Sequence, residues 1–199
     1  MADHIALFVI MHPASQPAQS TLLTHLRHGA REYYRKPSSQ CSAWSYLSPL
    51  EPSKDNELML AGLEIYTSKN ALKDQLEDTT FFQPFEEMVK REKLYTREGR
   101  MVAWYLAGGF LSRAMGREEG GGRVVVTVNQ LACFEGERKG VVGGLREFAG
   151  WCRKCEPGVL TFAVFTRKKA EREVLVYVRY RNEGCRRRLE EMPEWLHFW

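Results

Sequence analysis

Apolar and polar positions alternate along the chain in short blocks, which predicts a succession of strands and helices. Residues 57–82 show the pattern most clearly. Their first part is mainly apolar and is interrupted only by Ala61-Gly62 and Glu64, as expected of a strand buried on both faces. Thr67-Ser68 follows and can cap a helix, because a hydroxyl oxygen accepts a hydrogen bond from a free amide of the first turn. The apolar face of that helix is predicted to contain Ala71, Leu72, Gln75 and Leu76.

The same succession recurs in residues 174–196. If Tyr180 is aligned with Tyr66, Asn182 falls on Ser68, and asparagine is another residue that caps helices. The correspondence continues upstream of both stretches. We therefore predict two copies of one unit of roughly 100 residues, an ordinary size for a small domain.

The first copy has the order β-α-β-β-α-β, which is the split βαβ arrangement of the ferredoxin-like fold. Residues 12–18 contain two prolines and are expected to form a turn. The apolar face of the first helix is predicted to contain Leu22, Leu26, Ala30 and Tyr33. The predicted strands are 5–11, 41–50, 58–66 and 101–107, and the predicted helices are 21–34, the stretch after Ser68, and 84–93.

The second copy repeats this order without its last strand. Either the second unit is shortened or the natural chain runs on beyond Trp199. Strands are predicted at 123–134, 159–166 and 173–181, with a helix at 135–154 and a second helix after the third strand. The predicted domains are 1–110 and 123–199, separated by a glycine-rich linker at 111–122.

Composition narrows the class of protein. The chain has 199 residues, of which 44% are hydrophobic and 27% charged, and this is typical of a globular protein. A formal charge of +4 is too mild to indicate a nucleic-acid partner. No apolar run approaches the roughly 20 residues of a membrane span. Five cysteines, an odd number without a signal peptide, favour a reducing compartment, so a cytoplasmic location is predicted.

Both copies contain short motifs, which are Glu64, Tyr66, Ser68, Ala71, Leu72 and Phe81-Phe82 in the first copy and Glu156-Pro157-Gly158 in the second. These motifs resemble the antibiotic biosynthesis monooxygenase superfamily, and in particular its fungal two-domain members. The resemblance implies an α+β fold in which two tandem ferredoxin-like units form an intrachain pseudo-dimeric α/β barrel. Each sheet has helices on one face only, so its other apolar face needs a partner, which here would be the other half. Whether the chain also forms a homodimer is left open.

The resemblance also implies a chemistry. Members oxidise electron-rich aromatic polyketides with O2 in natural-product biosynthesis, without metal or flavin, and the substrate itself supplies the electrons. The protein would contribute a dry pocket, a base and dipoles that hold an oxyanion. No cofactor is therefore expected. The alternatives are a non-redox cyclase, isomerase or decarboxylase on the same scaffold, or a non-catalytic protein that binds a small molecule or a partner.

Asn129 is the first candidate for the site. An amide within an apolar strand is costly unless it is hydrogen-bonded. Asn129 precedes Gly136 by seven residues, and at that spacing the resemblance implies an asparagine that lines the pocket and donates to an oxyanion or a peroxide. The alternative is an amide that is satisfied at a strand edge.

Aromatic side chains supply further candidates. Tyr66 and Tyr180 follow the third strands, at a position where haem-degrading relatives carry tryptophan. Each could stack on a planar substrate or donate from its hydroxyl, although core packing would equally explain both. Trp44, Tyr46 and Trp104 could line a flat pocket or belong to the core.

Charged and metal-binding candidates complete the set. His12 has the titration range of a general base, and Arg179 could pair with an anionic substrate, but each could also be a solvated surface residue. Cys152 and Cys155 lack the further ligands of a zinc site. Haem is not expected, because residues 84–86 lack the histidine that the haem-degrading relatives carry after the second helix.

Overall fold

A computed structural model describes residues 4–111 and 124–198. The chain divides into two compact units, Met1–Trp104 and Tyr105–Trp199. Residues 112–122 of the predicted linker lie outside the described part of the chain. Among the residues that the structure describes, no helix is long and apolar enough to cross a membrane.

The first unit contains three complete strands, three helices and the start of a fourth strand. Strands β2, β3 and β1 are antiparallel neighbours, and β4 follows β1 in the strand order. This order is that of the ferredoxin-like fold. The strands are β1 Ile5–Met11, β2 Cys41–Leu47, β3 Leu60–Tyr66 and β4 Arg100–Phe110, and the helices are α1 Gln16–Gly29, α2 Lys69–Leu76 and α3 Phe82–Arg91.

Helix α1 begins at Gln16, within the stretch that was predicted to be a turn. Ser15 has extended backbone angles, and its hydroxyl accepts a hydrogen bond from the amide of Ala18 at 3.3 Å. Pro17 lies in the first turn, where a missing N–H costs nothing. The proline that suggested a turn therefore belongs to the start of the helix.

A π-helix, Ala30–Tyr34, extends α1 and changes which tyrosine faces the core. A π turn contains more residues than an α turn, so each residue after it is rotated around the helix axis. As a result Tyr34 is only 3% exposed. Tyr33, which the α-helical periodicity placed on the apolar face, is half-buried and stacks on Phe81.

The second unit repeats the arrangement with the end of β4 as one edge. Its strands lie in the order β4-β6-β7-β5. Apolar side chains of α4, Leu145, Phe148 and Ala149, pack in one cluster with Val176 and Val178 of the sheet. Its elements are β5 Val125–Ala132, α4 Arg138–Cys155, β6 Val159–Arg167, β7 Ala170–Tyr180, α5 Glu183–Glu190 and α6 Pro193–Phe198.

Equivalent caps confirm the internal repeat. In the first unit Ser68 accepts a hydrogen bond from the amide of Ala71 at 3.1 Å, and this starts α2. In the second unit Asn182 accepts one from the amide of Cys185 at 2.9 Å, and this starts α5. These are the residues that the alignment of Tyr180 with Tyr66 brought together.

Candidate functional site

Glu64 is a buried carboxylate in the middle of the first unit. It lies on β3, between Leu7 of β1 and Trp44 of β2, and is 6% exposed. Alternation along a strand places it on the same face as Leu60 and Tyr66. Leu60 packs with the helices, so Glu64 also points to the helical side of the sheet.

Three tyrosines and a glutamine donate hydrogen bonds to this carboxylate. Tyr34 donates to Oε1 at 2.6 Å, Tyr46 donates to Oε1 at 3.0 Å, and Tyr66 donates to Oε2 at 2.8 Å. The Nε2 of Gln75 donates to Oε2 at 3.3 Å and to the hydroxyl of Tyr34 at 3.0 Å. A buried charge is tolerated only when such partners replace its water. We call these five residues the Glu64 network.

Each donor reaches Glu64 for a local reason. The π turn rotates Tyr34 inward, where its ring stacks on Trp44 at 5.8 Å between centroids. Gly62 lies opposite Tyr46, and a Cβ atom there would lie 3.2 Å from two atoms of the Tyr46 ring. The missing side chain thus leaves room for Tyr46 to lie across β3 and reach the carboxylate.

The surroundings keep the tyrosines of the network protonated. Burial, followed by the negative charge of Glu64, raises the pKa of Tyr34, Tyr46 and Tyr66 above the usual range. Neighbouring Cys41 is affected in the same way, since burial and then Glu64 raise the pKa of its thiol to about 12. The tyrosines therefore act as hydrogen-bond donors at neutral pH, and the Cys41 thiol stays protonated.

A cavity of about 650 Å³ opens beside the network. Its floor includes the buried Glu64 and Tyr34 and the half-buried Tyr46. Its walls are mainly apolar and aromatic, and its exposed rim, which we call the mouth, carries charged side chains. Wall residues include Val9, Met11, Leu26, Phe81, Phe82 and Phe85. Charged residues of the lining near solvent are Glu86, Lys90, Lys93, Arg97 and Glu98.

Asp78 holds the aromatic wall in place at the corner between α2 and α3. Its carboxylate accepts hydrogen bonds from the amides of Phe81 at 2.6 Å and Phe82 at 2.9 Å. Burial alone would raise the pKa of Asp78, but these bonds and one from Thr80 lower it. The ring of Phe81 lies against Gly29 of α1, where there is no side chain to displace it.

Comparison of the fold with known proteins supports the two-unit organisation. No protein-family model matches the sequence, and no curated protein is significantly similar to it. A "putative monooxygenase" from Lactobacillus acidophilus superimposes with a TM-score of 0.74 at 10% identity, over 98% of this chain and 85% of its own. A second "putative monooxygenase", from Fusobacterium nucleatum, has a TM-score of 0.74 at 10% identity, and the match covers 99% of this chain and 84% of its own. An "anthrone oxidase-like protein" has a TM-score of 0.63 at 11% identity, and the match covers 98% of this chain and 83% of its own.

The chain shares the fold of these three proteins. The coverage of almost the whole chain confirms the predicted α+β class and the two tandem ferredoxin-like units. At about one identical residue in ten, the likeness establishes this shared fold and nothing finer.

Several residues predicted for the site meet in the first unit. Tyr66 and Tyr46 belong to the Glu64 network, and Trp44 supports it by stacking on Tyr34. Trp104 is 1% exposed and is not part of the cavity lining.

His12 lies near the mouth. An Nη atom of Arg97 is 3.4 Å from its Nδ1. Burial, followed by the positive charge of Arg97, lowers the pKa of His12. The imidazole is therefore neutral at neutral pH and can accept a hydrogen bond from the guanidinium.

The other predicted residues lie in the second unit. Asn129 is half-buried on the edge strand β5, where it pairs with Val176. Tyr180 is buried and has a pKa raised to about 12, mainly by burial. Arg179 lies on the opposite face of β7 and pairs with Val126 and Thr161. None of the three is among the described residues that line the cavity of the first unit.

The second unit has apolar residues in place of Glu64 and Gln75. By strand register Tyr180 corresponds to Tyr66, so Val178 corresponds to Glu64. In the repeat alignment Leu189, which is fully buried, corresponds to Gln75. The ring of Trp195 packs on Phe148 at 5.6 Å. The second unit thus has no carboxylate at the position of Glu64.

Sequence reasoning missed Glu64, Tyr34 and Gln75 as site residues. Glu64 was visible as the single charge in an otherwise apolar strand, and such a residue needs partners. Gln75 was visible as a polar residue on a helix face that is otherwise apolar. Tyr34 had no signal, because a periodicity of 3.6 residues selects Tyr33.

The raised tyrosine pKa values predict how stability depends on alkaline pH. The folded pKa values of Tyr34, Tyr46 and Tyr66 exceed the unfolded value of about 10. The stabilisation is therefore fully present below about pH 10 and is lost as pH rises through the folded values. We expect urea midpoints that are flat from about pH 7 to 9 and fall above about pH 10. We expect the three buried tyrosines to ionise only when the chain unfolds. An alkaline titration in which the absorbance of all 8 tyrosines changes to that of tyrosinate before unfolding would contradict this expectation.

Proposed function

We propose that the first unit is a cofactor-independent oxygenase that takes a proton from a flat aromatic substrate and lets the resulting anion react with O2. One observation carries the proposal. A buried carboxylate, Glu64, lies on the floor of an aromatic-lined cavity of about 650 Å³. Ligand cavities commonly measure about 300–1,000 Å³, so the space suits a ring system of two or three fused rings.

Glu64 acts as the proton acceptor. Four hydrogen bonds orient its two oxygens, and the ring of Tyr46 shares the floor of the cavity with it. A hydroxyl or activated C–H of the substrate that faces this floor transfers its proton to a carboxylate oxygen. General bases in such positions contribute about 10²–10⁴-fold to rate.

Tyr46 then stabilises the substrate anion. Its bond to Glu64, at 3.0 Å, is the longest of the three tyrosine bonds, and Tyr46 also lines the cavity. Once Glu64 is protonated it no longer attracts the tyrosine hydroxyls as an anion does. Tyr46 is then placed to donate to the oxygen of the substrate anion, an interaction that grows as the charge develops.

The delocalised anion supplies the electrons for O2. For an activated methylene group the net reaction is CH2 + O2 → C=O + H2O. The carbon loses four electrons and O2 gains four, with one oxygen atom entering the carbonyl and the other leaving in water. The proton that Glu64 received leaves in that water, which returns the carboxylate to its starting state.

The fold comparison favours this substrate type. One structural neighbour that covers almost the whole chain is named an anthrone oxidase-like protein, and an anthrone has such a methylene group in a flat tricyclic ring. A role in natural-product biosynthesis belongs to the same proposal.

The five cysteines are all free thiols, which supports the predicted cytoplasmic location.

The test measures O2 uptake and quinone formation with 1,8-dihydroxyanthrone, with the uncatalysed background subtracted. A second measurement follows the exchange of the methylene hydrogens with deuterium under anaerobic conditions, which reports proton abstraction alone. Catalysed uptake together with catalysed exchange is the expected result. Catalysed exchange without uptake would instead assign the site to a non-redox isomerase, cyclase or decarboxylase. Neither activity, with the substrate bound, would leave a binding protein.

A further inference from the structure

The mouth of the cavity carries three cations that have no carboxylate partner in the described part of the chain. Lys90, Lys93 and Arg97 line the cavity, and none of them forms an ion pair with any carboxylate of the described residues. Elsewhere on this chain partly exposed arginines do pair, as Arg186 does with Glu183 at 2.6 Å. The mouth cations are therefore available to a ligand.

The carboxylates of the mouth do not cancel this charge. Glu86 and Glu98 also line the cavity, which leaves three cations against two anions. The mouth as a whole keeps a positive charge.

Arg97 is held at the mouth by His12. Its guanidinium lies 3.4 Å from Nδ1 of His12, which is neutral at neutral pH. The backbone also connects the two segments, because the amide of Thr96 donates to the carbonyl oxygen of His12 at 2.9 Å. A positioned guanidinium loses less side-chain freedom on binding an anion than a free one does.

The cavity is thus acidic at its buried floor and basic at its exposed mouth. An anionic group at the floor would meet Glu64 in a medium of low dielectric constant, where like charges repel strongly. The same group at the mouth would meet Lys90, Lys93 and Arg97.

We propose that the substrate is an aromatic carboxylic acid, whose carboxylate binds the three mouth cations while its acidic proton faces Glu64. This proposal rests on the proposed function, because it assigns the floor to the acidic proton.

The first experiment compares two ligands of the same shape. The ligands are 6-hydroxy-2-naphthoate and its neutral amide, and their affinities for the full chain are measured by calorimetry. Each exposed ion pair contributes only modestly, so three of them together give the acid roughly a tenfold preference. The preference should shrink at high ionic strength, because salt screens exposed charges.

Two triple variants of equal charge then locate the effect. Lys90→Gln, Lys93→Gln and Arg97→Gln together should abolish the preference for the acid and leave the affinity of the amide unchanged. The control changes three cations of α2 and α3 that are not part of the cavity lining, namely Lys69→Gln, Lys73→Gln and Arg91→Gln. It should keep the preference.

The outcomes separate this inference from the proposed function. Equal affinities of acid and amide in the unaltered chain would overturn the carboxylate assignment and leave the aromatic cavity in place. The carboxylate assignment would also be overturned if the control triple variant lost the preference for the acid as fully as the mouth triple variant. If neither ligand binds, the aromatic site itself is wrong, and both proposals fail together.

Discussion

Replacing Glu64 with glutamine lowers kcat/KM for methylene oxidation and for anaerobic proton exchange by about 10²–10⁴-fold, the usual contribution of a general base. The amide has nearly the same volume as the carboxylate but accepts a proton far less readily. Because both activities depend on the same proton transfer, they should fall by the same factor. The measurement is a pair of rate assays, of O2 uptake and of deuterium exchange, on the purified variant.

Glu77→Gln provides the matched control. Glu77 follows α2, is exposed, and pairs with Lys73 at 3.5 Å. The same chemical change there should leave both rates within about twofold, since it touches neither cavity nor network. If Glu64→Gln is folded and its rates stay within tenfold of the unaltered chain, Glu64 is not the proton acceptor. Equal far-ultraviolet circular dichroism would verify the fold.

The second large effect concerns stability and uses the internal repeat as its own control. Tyr66 and Tyr180 occupy equivalent positions, and both are 0% exposed. The hydroxyl of Tyr66 donates to a buried carboxylate at 2.8 Å. In the described residues Tyr180 makes no hydrogen bond to a carboxylate, and the equivalent of Glu64 is Val178. Tyr66→Phe should therefore cost about 1.5–3 kcal/mol of unfolding free energy, and Tyr180→Phe at most about 1 kcal/mol.

Hydrogen exchange is the appropriate measurement for this pair, because two units can unfold separately. Protection of β3 reports the first unit, and protection of β7 reports the second. Tyr66→Phe should lower the protection of β3 and leave that of β7 unchanged. Equal losses of stability from the two substitutions would show that the Glu64 network does not stabilise the first unit.

Much of the fold could be predicted because its signals are local. Strand β1 has the predicted limits, since an apolar run between polar residues reads directly as a buried strand. Ser68 and Asn182 start helices as predicted, because a cap is a contact between residues three apart. The start of α1 was misplaced because a proline in a first turn and a proline in a loop have the same local signature.

The site was less predictable because it depends on contacts distant in sequence. The hydrogen bond from Gln75 to Tyr34 joins residues 41 apart, and that from Tyr34 to Glu64 joins residues 30 apart. No periodicity along the chain reports such a pairing. Tyr46 was predicted as an aromatic lining residue, but its bond to Glu64 also requires the missing side chain at Gly62 on the neighbouring strand.

The sequence by itself determined the order of strands and helices, the caps and the repeat, because hydrophobic period and capping act over a few residues. The sequence also contains Glu64 in the first copy and Val178 at the equivalent position of the second. It does not show that Glu64 is buried among hydrogen-bond donors. Only the tertiary structure decided that Tyr34 and not Tyr33 turns inward, and that the first unit encloses an acid among tyrosines beside a cavity. The π turn directs Tyr34 inward, and the packing of strands on helices encloses Glu64. Both features depend on burial among residues distant in sequence rather than on local preference.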